Sequence, residues 1–185
     1  MIVLMYHALY NNESELQALP EEERSYAVST DNFRRQLEVA QSLSGGFVDP
    51  TKMSEAYAKP ASGKNKVLLT FDDGHVSFYT HAMPIMAELA AKGIFFITPQ
   101  LRDTRDDFCS WAQLKELLDN GHAIESHGDT HRFFTTMNDA ESIEELESSK
   151  KSLDTQLEQQ TTMISFPGGR FTQRDINAGK KLGYK

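Results

Sequence analysis

Two short segments of the chain hold side chains whose types and spacing could do chemistry. Asp72 and Asp73 are adjacent and follow an apolar run directly. Further along, His127 and His131 lie four residues apart. One carboxylate and two imidazoles make a ligand set for Zn²⁺, Co²⁺ or Ni²⁺, the borderline cations that accept both kinds of donor. The second carboxylate is then left over as a base. Three protein ligands leave coordination positions for water and substrate, which indicates a catalytic rather than a structural metal site.

The element before the two aspartates must deliver both carboxylates to one pocket. The apolar run Val67–Leu69 begins the segment 67–71, and the turn residue Gly74 follows the aspartates, which predicts a buried strand of an α/β protein with its carboxyl end at the site. Neighbouring residues on a strand point to opposite faces, but this alternation relaxes at the last residue before a turn. Two like charges at a buried strand end also need a cation or a proton between them. The histidine pair fits either one helix turn or a tight loop, and both bring the two rings to one ion.

The rest of the chain alternates between strand and helix patterns. The predicted strands are 2–6, 67–71, 94–98, 123–127 and 162–166. The predicted helices run from the cap at 29–31 to 44–46, over 84–91 with a C-cap at Lys92-Gly93, over 111–118, over 139–158 and over 172–182. Residues 8–28 are predicted to be a loop, and 49–65 a connection. This order predicts parallel strands with right-handed crossovers.

Composition excludes several classes of function. The net charge of −8 and the pI of about 5.2 make nucleic acid and anionic membrane surfaces poor partners. The acidic clusters at 13–23 and 139–158 are predicted to be solvated helix faces or loops. Cys109 is the single cysteine, so an internal disulfide framework is excluded. No apolar stretch approaches the ~20 residues of a membrane span, and no leader pattern is present, so we expect a cytoplasmic protein.

Length and hydrophobic content favour one domain. With 185 residues, of which 39% are hydrophobic, the chain can bury one substantial core, and we expect a single domain over residues 1–185. The helix that closes at Gly183 is followed by Tyr184-Lys185, which has the character of an approach to another strand. Closed α/β barrels need ~200 residues or more, so we expect C-terminal strands to be missing from this sequence.

Three ordered motifs resemble those of a known family. Thr70-Phe71-Asp72-Asp73-Gly74, then His127-x-x-x-His131, then Ser165-Phe166-Pro167-Gly168-Gly169 are similar to the first three motifs of the polysaccharide deacetylase family, also called the NodB-homology or carbohydrate esterase family 4 domain. Met5-Tyr6-His7 resembles the amino-terminal strand of that family, so the similarity spans almost the whole chain. The resemblance implies a distorted (β/α) barrel, incomplete at its C-terminus here. It also implies metal-dependent removal of acetyl groups from N-acetylated sugars or polysaccharide.

The resemblance also implies a role for each candidate site residue. Asp72 is then the general base, and a divalent metal, with Zn²⁺ expected first, is held by Asp73, His127 and His131. The backbone N–H of Gly168 is expected to donate to the oxyanion of the reaction. Further residues are expected around a carbohydrate substrate, namely His7, Pro167, Gly169 and Arg170.

The chain departs from the family pattern in two ways. Ser165 stands where the third motif usually opens with an arginine that orients the catalytic aspartate. Arg170 is a possible partial substitute, and an equally ordinary interpretation makes it a solvated surface residue. No residue matches the later motifs, which supply a supporting aspartate and a histidine general acid. Two alternatives to a sugar deacetylase therefore remain: a hydrolase of a non-sugar amide or imide, and a domain that binds metal or glycan without turnover.

Overall fold

A parallel four-stranded sheet forms the centre of the computed structural model, which describes residues 1–53 and 65–185. Most of the predicted connection 49–65 therefore lies outside the described residues. The strands, in chain order, are β1 (Ile2–Tyr6), β2 (Ala8–Tyr10), β3 (Ala27–Ser29), β4 (Val67–Phe71), β5 (Gly93–Ile97) and β6 (Ala123–Ser126). The central sheet has the order β1-β4-β5-β6, and β2 pairs with β3 in a second, two-stranded parallel sheet. The parallel arrangement predicted from the sequence is confirmed.

A row of aromatic side chains fixes the register of the central sheet. Tyr6 pairs with Phe71, and Phe71 with Phe95, across three neighbouring strands. The Phe71 and Phe95 rings stack with centroids 4.5 Å apart, and Tyr6 stacks on the other side of Phe71 at 5.5 Å. Because this row lies immediately before Asp72, good packing of the three rings also sets the height at which the strands end.

Eight α-helices surround the sheet in the described part of the chain. They are α1 (Glu13–Ala18), α2 (Glu21–Arg24), α3 (Thr30–Leu43), α4 (Met83–Glu88), α5 (Pro99–Thr104), α6 (Trp111–Asp119), α7 (Asp139–Leu157) and α8 (Gln173–Lys181). Apolar side chains of α3, α4, α6 and α7 cover one face of the sheet and bury its aromatic row; they include Phe33, Leu37, Met86, Leu114, Leu117, Leu153 and Leu157. Ser29 caps α3 as predicted, and α5 was not predicted at all.

The prediction that residues 8–28 form a loop is wrong. The segment contains β2, α1 and α2 and leads into β3. Both helices are short and bury no residue, so they lack the apolar periodicity that marks a helix in a sequence. The two strands have three residues each, too few to show alternation, and they are stabilised by pairing with each other.

The prediction that Gly93 caps the preceding helix is also wrong. α4 ends at Glu88, and Ala90 turns the chain with a φ of 50°. Gly93 is instead the first residue of β5, and a Cβ atom there would lie 2.8 Å from the Phe71 ring. This glycine therefore makes room for the aromatic row rather than ending a helix.

The predicted strand at 162–166 is reduced to one isolated bridge between Ser126 and Ile164. The amides of Thr162 and Met163 donate to the buried carboxylate of Glu125, at 2.8 and 2.7 Å. Two backbone hydrogen bonds, from Ser126 to Met163 and from Ser165 to Ser126, form the bridge, and a side chain takes the place of further strand pairing. Among the described residues, no helix has both the length and the apolar character needed to cross a membrane.

Candidate functional site

The carboxyl ends of β1, β4 and β6 open into one pocket of about 1130 Å³. Because these strands are parallel and in register, the residues that follow them lie at the same edge of the sheet. The predicted site residues that line the pocket are His7, Asp72, Asp73, His127, His131, Gly168 and Gly169. Pro167 is buried within its turn, and Arg170 is exposed.

Both aspartates reach this pocket because the chain turns sharply between them. Asp72 continues β4, with its amide donating to the Tyr6 carbonyl at 2.9 Å, and only 4% of it is exposed. Asp73 has a φ of 74°, the left-handed conformation that a residue other than glycine rarely adopts. The turn is closed by a hydrogen bond from the Gly74 amide to the Asp72 carbonyl. The predicted loss of strand alternation at this point is confirmed, and Asp73 carries the strain.

Asp73, His127 and His131 form a possible metal centre. Their ligand atoms all lie within 4.8 Å of one another. Oδ1 of Asp73 lies 3.0 Å from Nε2 of His131 and 3.3 Å from Nε2 of His127, yet this buried oxygen has no hydrogen-bond partner among the described residues. Two ring nitrogens and one carboxylate oxygen that converge without hydrogen bonding fit a cation with imidazole and carboxylate ligands.

The hydrogen bonding of His127 suits a metal ligand as well. Its Nδ1 lies 2.7 Å from the carbonyl oxygen of Ser165. A carbonyl can only accept, so Nδ1 carries the proton and the lone pair of Nε2 points away from this bond. Metal-binding histidines are commonly held in this way by a carbonyl behind the ring.

Asp72 lies beside this group without belonging to it. Its Oδ2 is 3.9 Å from Nε2 of His127 and accepts a hydrogen bond from the Ser165 hydroxyl at 3.2 Å. Its Oδ1 is buried and has no partner in the described part of the chain. Ser165 therefore contacts the carboxylate with its side chain and the histidine with its carbonyl. The sequence identified Ser165 only as the residue in place of an arginine.

The two adjacent carboxylates have different acidities. Burial raises the pKa of Asp72, and the neighbouring His127 and His7 only partly offset this. Burial also acts to raise the pKa of Asp73, but the imidazoles of His127 and His131 outweigh it and hold that pKa below its usual value. Asp73 in turn raises the pKa of His131. The two environments thus shift the pKa values of the neighbouring carboxylates in opposite directions. Such a pair is suited to two different roles, one as an anionic ligand and the other as a proton acceptor.

The histidine pair lies on a loop rather than on a helix. β6 ends at Ser126, and the chain is not helical again until the turn at Phe134–Thr136. His131 has a φ of 64°, so it is a second left-handed residue at the site. Of the two arrangements that the spacing allowed, the tight loop is the one observed.

The glycine turn at 167–169 forms another part of the pocket wall. Its two hydrogen bonds come from the amides of Gly169 and Arg170, which leaves the Gly168 amide outside them. Gly168 has a φ of 61°, and a Cβ atom there would lie 2.8 Å from the Phe133 ring. The Arg170 guanidinium lies over the same ring, 4.5 Å from its centroid. The structure thus places the Ser165 hydroxyl against Asp72, and Arg170 against an aromatic ring.

Comparison with known sequences gives consistent matches. Residues 59–185 match the family model described as Polysaccharide deacetylase. Over 119 residues the chain is 33% identical to YxkH of Bacillus subtilis (strain 168), whose name assigns it provisionally to the polysaccharide deacetylases. The match takes in 64% of this chain and 42% of YxkH, so the chain spans about two fifths of that curated relative.

Solved structures agree with the fold. The Streptococcus pyogenes deacetylase PplD, in complex with acetate, superposes with a TM-score of 0.85 at 27% identity, covering 100% of this chain and 80% of that one. IcaB from Ammonifex degensii gives a TM-score of 0.77 at 23% identity, with 100% and 84% covered. These matches confirm an α/β fold with a parallel sheet, of the type found in those two structures.

Proposed function

Because the chain belongs to the polysaccharide deacetylase family, we propose that it hydrolyses the acetamido group of N-acetylated sugars in a glycan, with a divalent metal, Zn²⁺ foremost. The observation that carries this proposal is the convergence of Asp73, His127 and His131 within 4.8 Å, with the buried carboxylate of Asp72 beside them. The structural likeness to a deacetylase that binds acetate supports it further.

The proposed metal ligands and the proposed base have different roles in the reaction. A divalent cation held by Asp73, His127 and His131 would lower the pKa of a water molecule toward neutrality and polarise the acetyl carbonyl. The carbonyl of Ser165 keeps the His127 ring in its ligand orientation through Nδ1. The Asp73 carboxylate would supply the anionic ligand, since its Oδ1 lies 3.0 Å from Nε2 of His131 and 3.3 Å from Nε2 of His127.

Asp72 is proposed as the proton acceptor. Its Oδ1, which has no hydrogen-bond partner among the described residues, can take a proton from the attacking water as the water oxygen bonds to the acetyl carbon. The Gly168 amide, free of the turn's own hydrogen bonds, can donate to the oxyanion that forms. The C–N bond then breaks as the nitrogen takes up the proton that Asp72 accepted, which regenerates the Asp72 carboxylate, and the products are the sugar amine and acetic acid, which ionises to acetate.

Metal analysis combined with acetate release tests this function. We expect the purified protein to contain one equivalent of metal and to release acetate from chitooligosaccharide or peptidoglycan fragments in preference to an N-acetylated peptide. Wild-type protein without bound metal would contradict the mechanism. Faster hydrolysis of the peptide would favour the non-sugar amide alternative, and metal without acetate release from any substrate would favour a binding domain.

A serine-to-alanine change tests how Asp72 is held. Ser165→Ala removes the hydroxyl that donates to Asp72 but keeps the carbonyl that accepts from His127. A hydrogen bond to a charged group contributes about 1.5–3 kcal/mol, so we expect kcat to fall by about 10- to 150-fold with unchanged metal content. Ser165→Thr, which keeps a hydroxyl, is the matched control. An unchanged kcat in the alanine variant would show that the hydroxyl does not orient Asp72.

A further inference from the structure

Glu145 is buried in a helix whose acidic residues were predicted to be solvated. It lies on α7, and only 5% of it is exposed. Its Oε1 accepts hydrogen bonds from the amides of Asp129 and Thr130, at 2.8 and 2.7 Å. Its Oε2 accepts from the Thr130 hydroxyl at 2.9 Å. All of these donors belong to the loop between the two histidines of the candidate metal centre.

That loop needs to be held in place because its backbone is unusual. Gly128 has a φ of 77°, and a Cβ atom there would lie 2.9 Å from Oε1 of Glu145. His131 has a φ of 64° without being a glycine. A backbone conformation of this kind persists only where its surroundings determine it. The carboxylate of Glu145 contacts the loop at the two residues that immediately precede His131.

The other anchors of the loop act on different atoms. The Gly128 amide donates to the Ser126 hydroxyl at 3.2 Å, and the Asp129 carbonyl accepts from the Gln100 amide at 3.0 Å. Neither bond reaches Thr130 or His131. Among the described residues, Glu145 is therefore the buried group that ties Thr130, the residue before His131, to the body of the protein.

We propose that Glu145 is a positioning residue, which holds the loop so that Nε2 of His131 meets Asp73 and His127 at a common metal ion. This proposal rests on the proposed function for the metal centre, and it adds a determinant of metal affinity that lies outside the ligand set. To hold the loop, Glu145 needs an acceptor oxygen at the right position rather than a negative charge, because its oxygens accept hydrogen bonds from backbone amides. Loss of a partner behind the ligands typically costs about 10- to 100-fold in metal affinity.

Two substitutions separate position from charge. Glu145→Gln keeps an acceptor oxygen at the same reach and removes the charge, whereas Glu145→Asp keeps the charge and withdraws it by one methylene. We expect the Kd for Co²⁺ and Zn²⁺, measured by competition with a chelator, to rise about tenfold or more in Glu145→Asp and to stay within about threefold of wild type in Glu145→Gln. The visible absorption spectrum of bound Co²⁺ should change in the aspartate variant alone, because it reports ligand geometry.

Glu144 provides the matched control, since it precedes Glu145 on α7 and is exposed. Glu144→Asp and Glu144→Gln should both bind Co²⁺ as the wild type does. An unchanged Kd and spectrum in Glu145→Asp would overturn the proposal. Equal losses in the aspartate and glutamine variants of Glu145 would overturn it too, because charge would then be the property that matters.

Amide hydrogen exchange without metal separates this proposal from the proposed function. The amides of Asp129 and Thr130 should exchange faster in Glu145→Asp than in Glu145→Gln. If the wild-type protein binds no Co²⁺, the proposed function fails. Faster exchange in the aspartate variant would still support the conclusion that Glu145 holds the loop in place. Equal exchange in the two variants would overturn it.

Discussion

Asp72→Asn is expected to lower kcat for acetate release by about 10²- to 10⁴-fold, which is the usual contribution of a positioned general base. The change removes the proton acceptor but keeps the size of the side chain. An asparagine can also accept from the Ser165 hydroxyl, so the neighbouring contact can persist. Metal content should be unchanged, because Asp72 lies beside the ligand set and not in it. The measurement is steady-state kinetics together with metal analysis of the same samples.

A conservative change elsewhere provides the comparison. Asp106→Asn alters an exposed aspartate and should leave both kcat and metal content as in the wild type. If Asp72→Asn loses its metal, then Asp72 is a ligand and the proposed division between the two aspartates is incorrect. If the variant keeps its metal and its activity, another group takes the proton.

His131→Ala should have an effect of similar or greater size, for a different reason. It removes one of the three proposed ligands, so we expect the Kd for Zn²⁺ to rise by more than the roughly 10- to 100-fold that loss of an outer partner costs. Acetate release should fall to the level of chelator-treated wild-type protein. Added Zn²⁺ should restore the treated wild type but not the variant.

A histidine outside the pocket controls for general damage. His81 pairs with Glu15 at 3.0 Å and does not line the pocket. His81→Ala should therefore bind Zn²⁺ with wild-type affinity. Retention of tight binding and activity in His131→Ala would remove His131 from the metal centre.

The sequence predicted the central sheet and the meeting of one carboxylate with His127 and His131 for a common reason, whereas the choice of Asp73 as the carboxylate ligand came from the family resemblance. Buried parallel strands such as Val67–Phe71 are nearly all apolar, and polar residues that follow them must lie at one edge. The alternation of strand and helix then brings His127 and His131 to the same edge as Asp73. Local sequence patterns were sufficient here because each pattern lies within one short segment of the chain.

Features that depend on distant contacts could not be predicted in the same way. Glu145 is one of several acidic residues on α7, and nothing local distinguishes it from the exposed Glu144 or Glu147. Its role comes from two amides on a loop that is separated from it by 15 residues or more. The contact between Ser165 and Asp72 spans 93 residues, so it too appears only when the fold is known.

The order in which the strands pair has a consequence for how the protein folds. β1 comes first in the chain, but its partner is β4, with Ile2 opposite Val67. The long segment between β1 and β4 must close into a loop, at a cost in chain entropy, before this pairing contributes any stability. Such a sheet therefore nucleates slowly. The proposed metal ligands come from segments that meet only after β4, β5 and β6 have aligned. A cation would therefore bind too late to guide the early steps of folding, and its binding energy would oppose unfolding of the finished sheet.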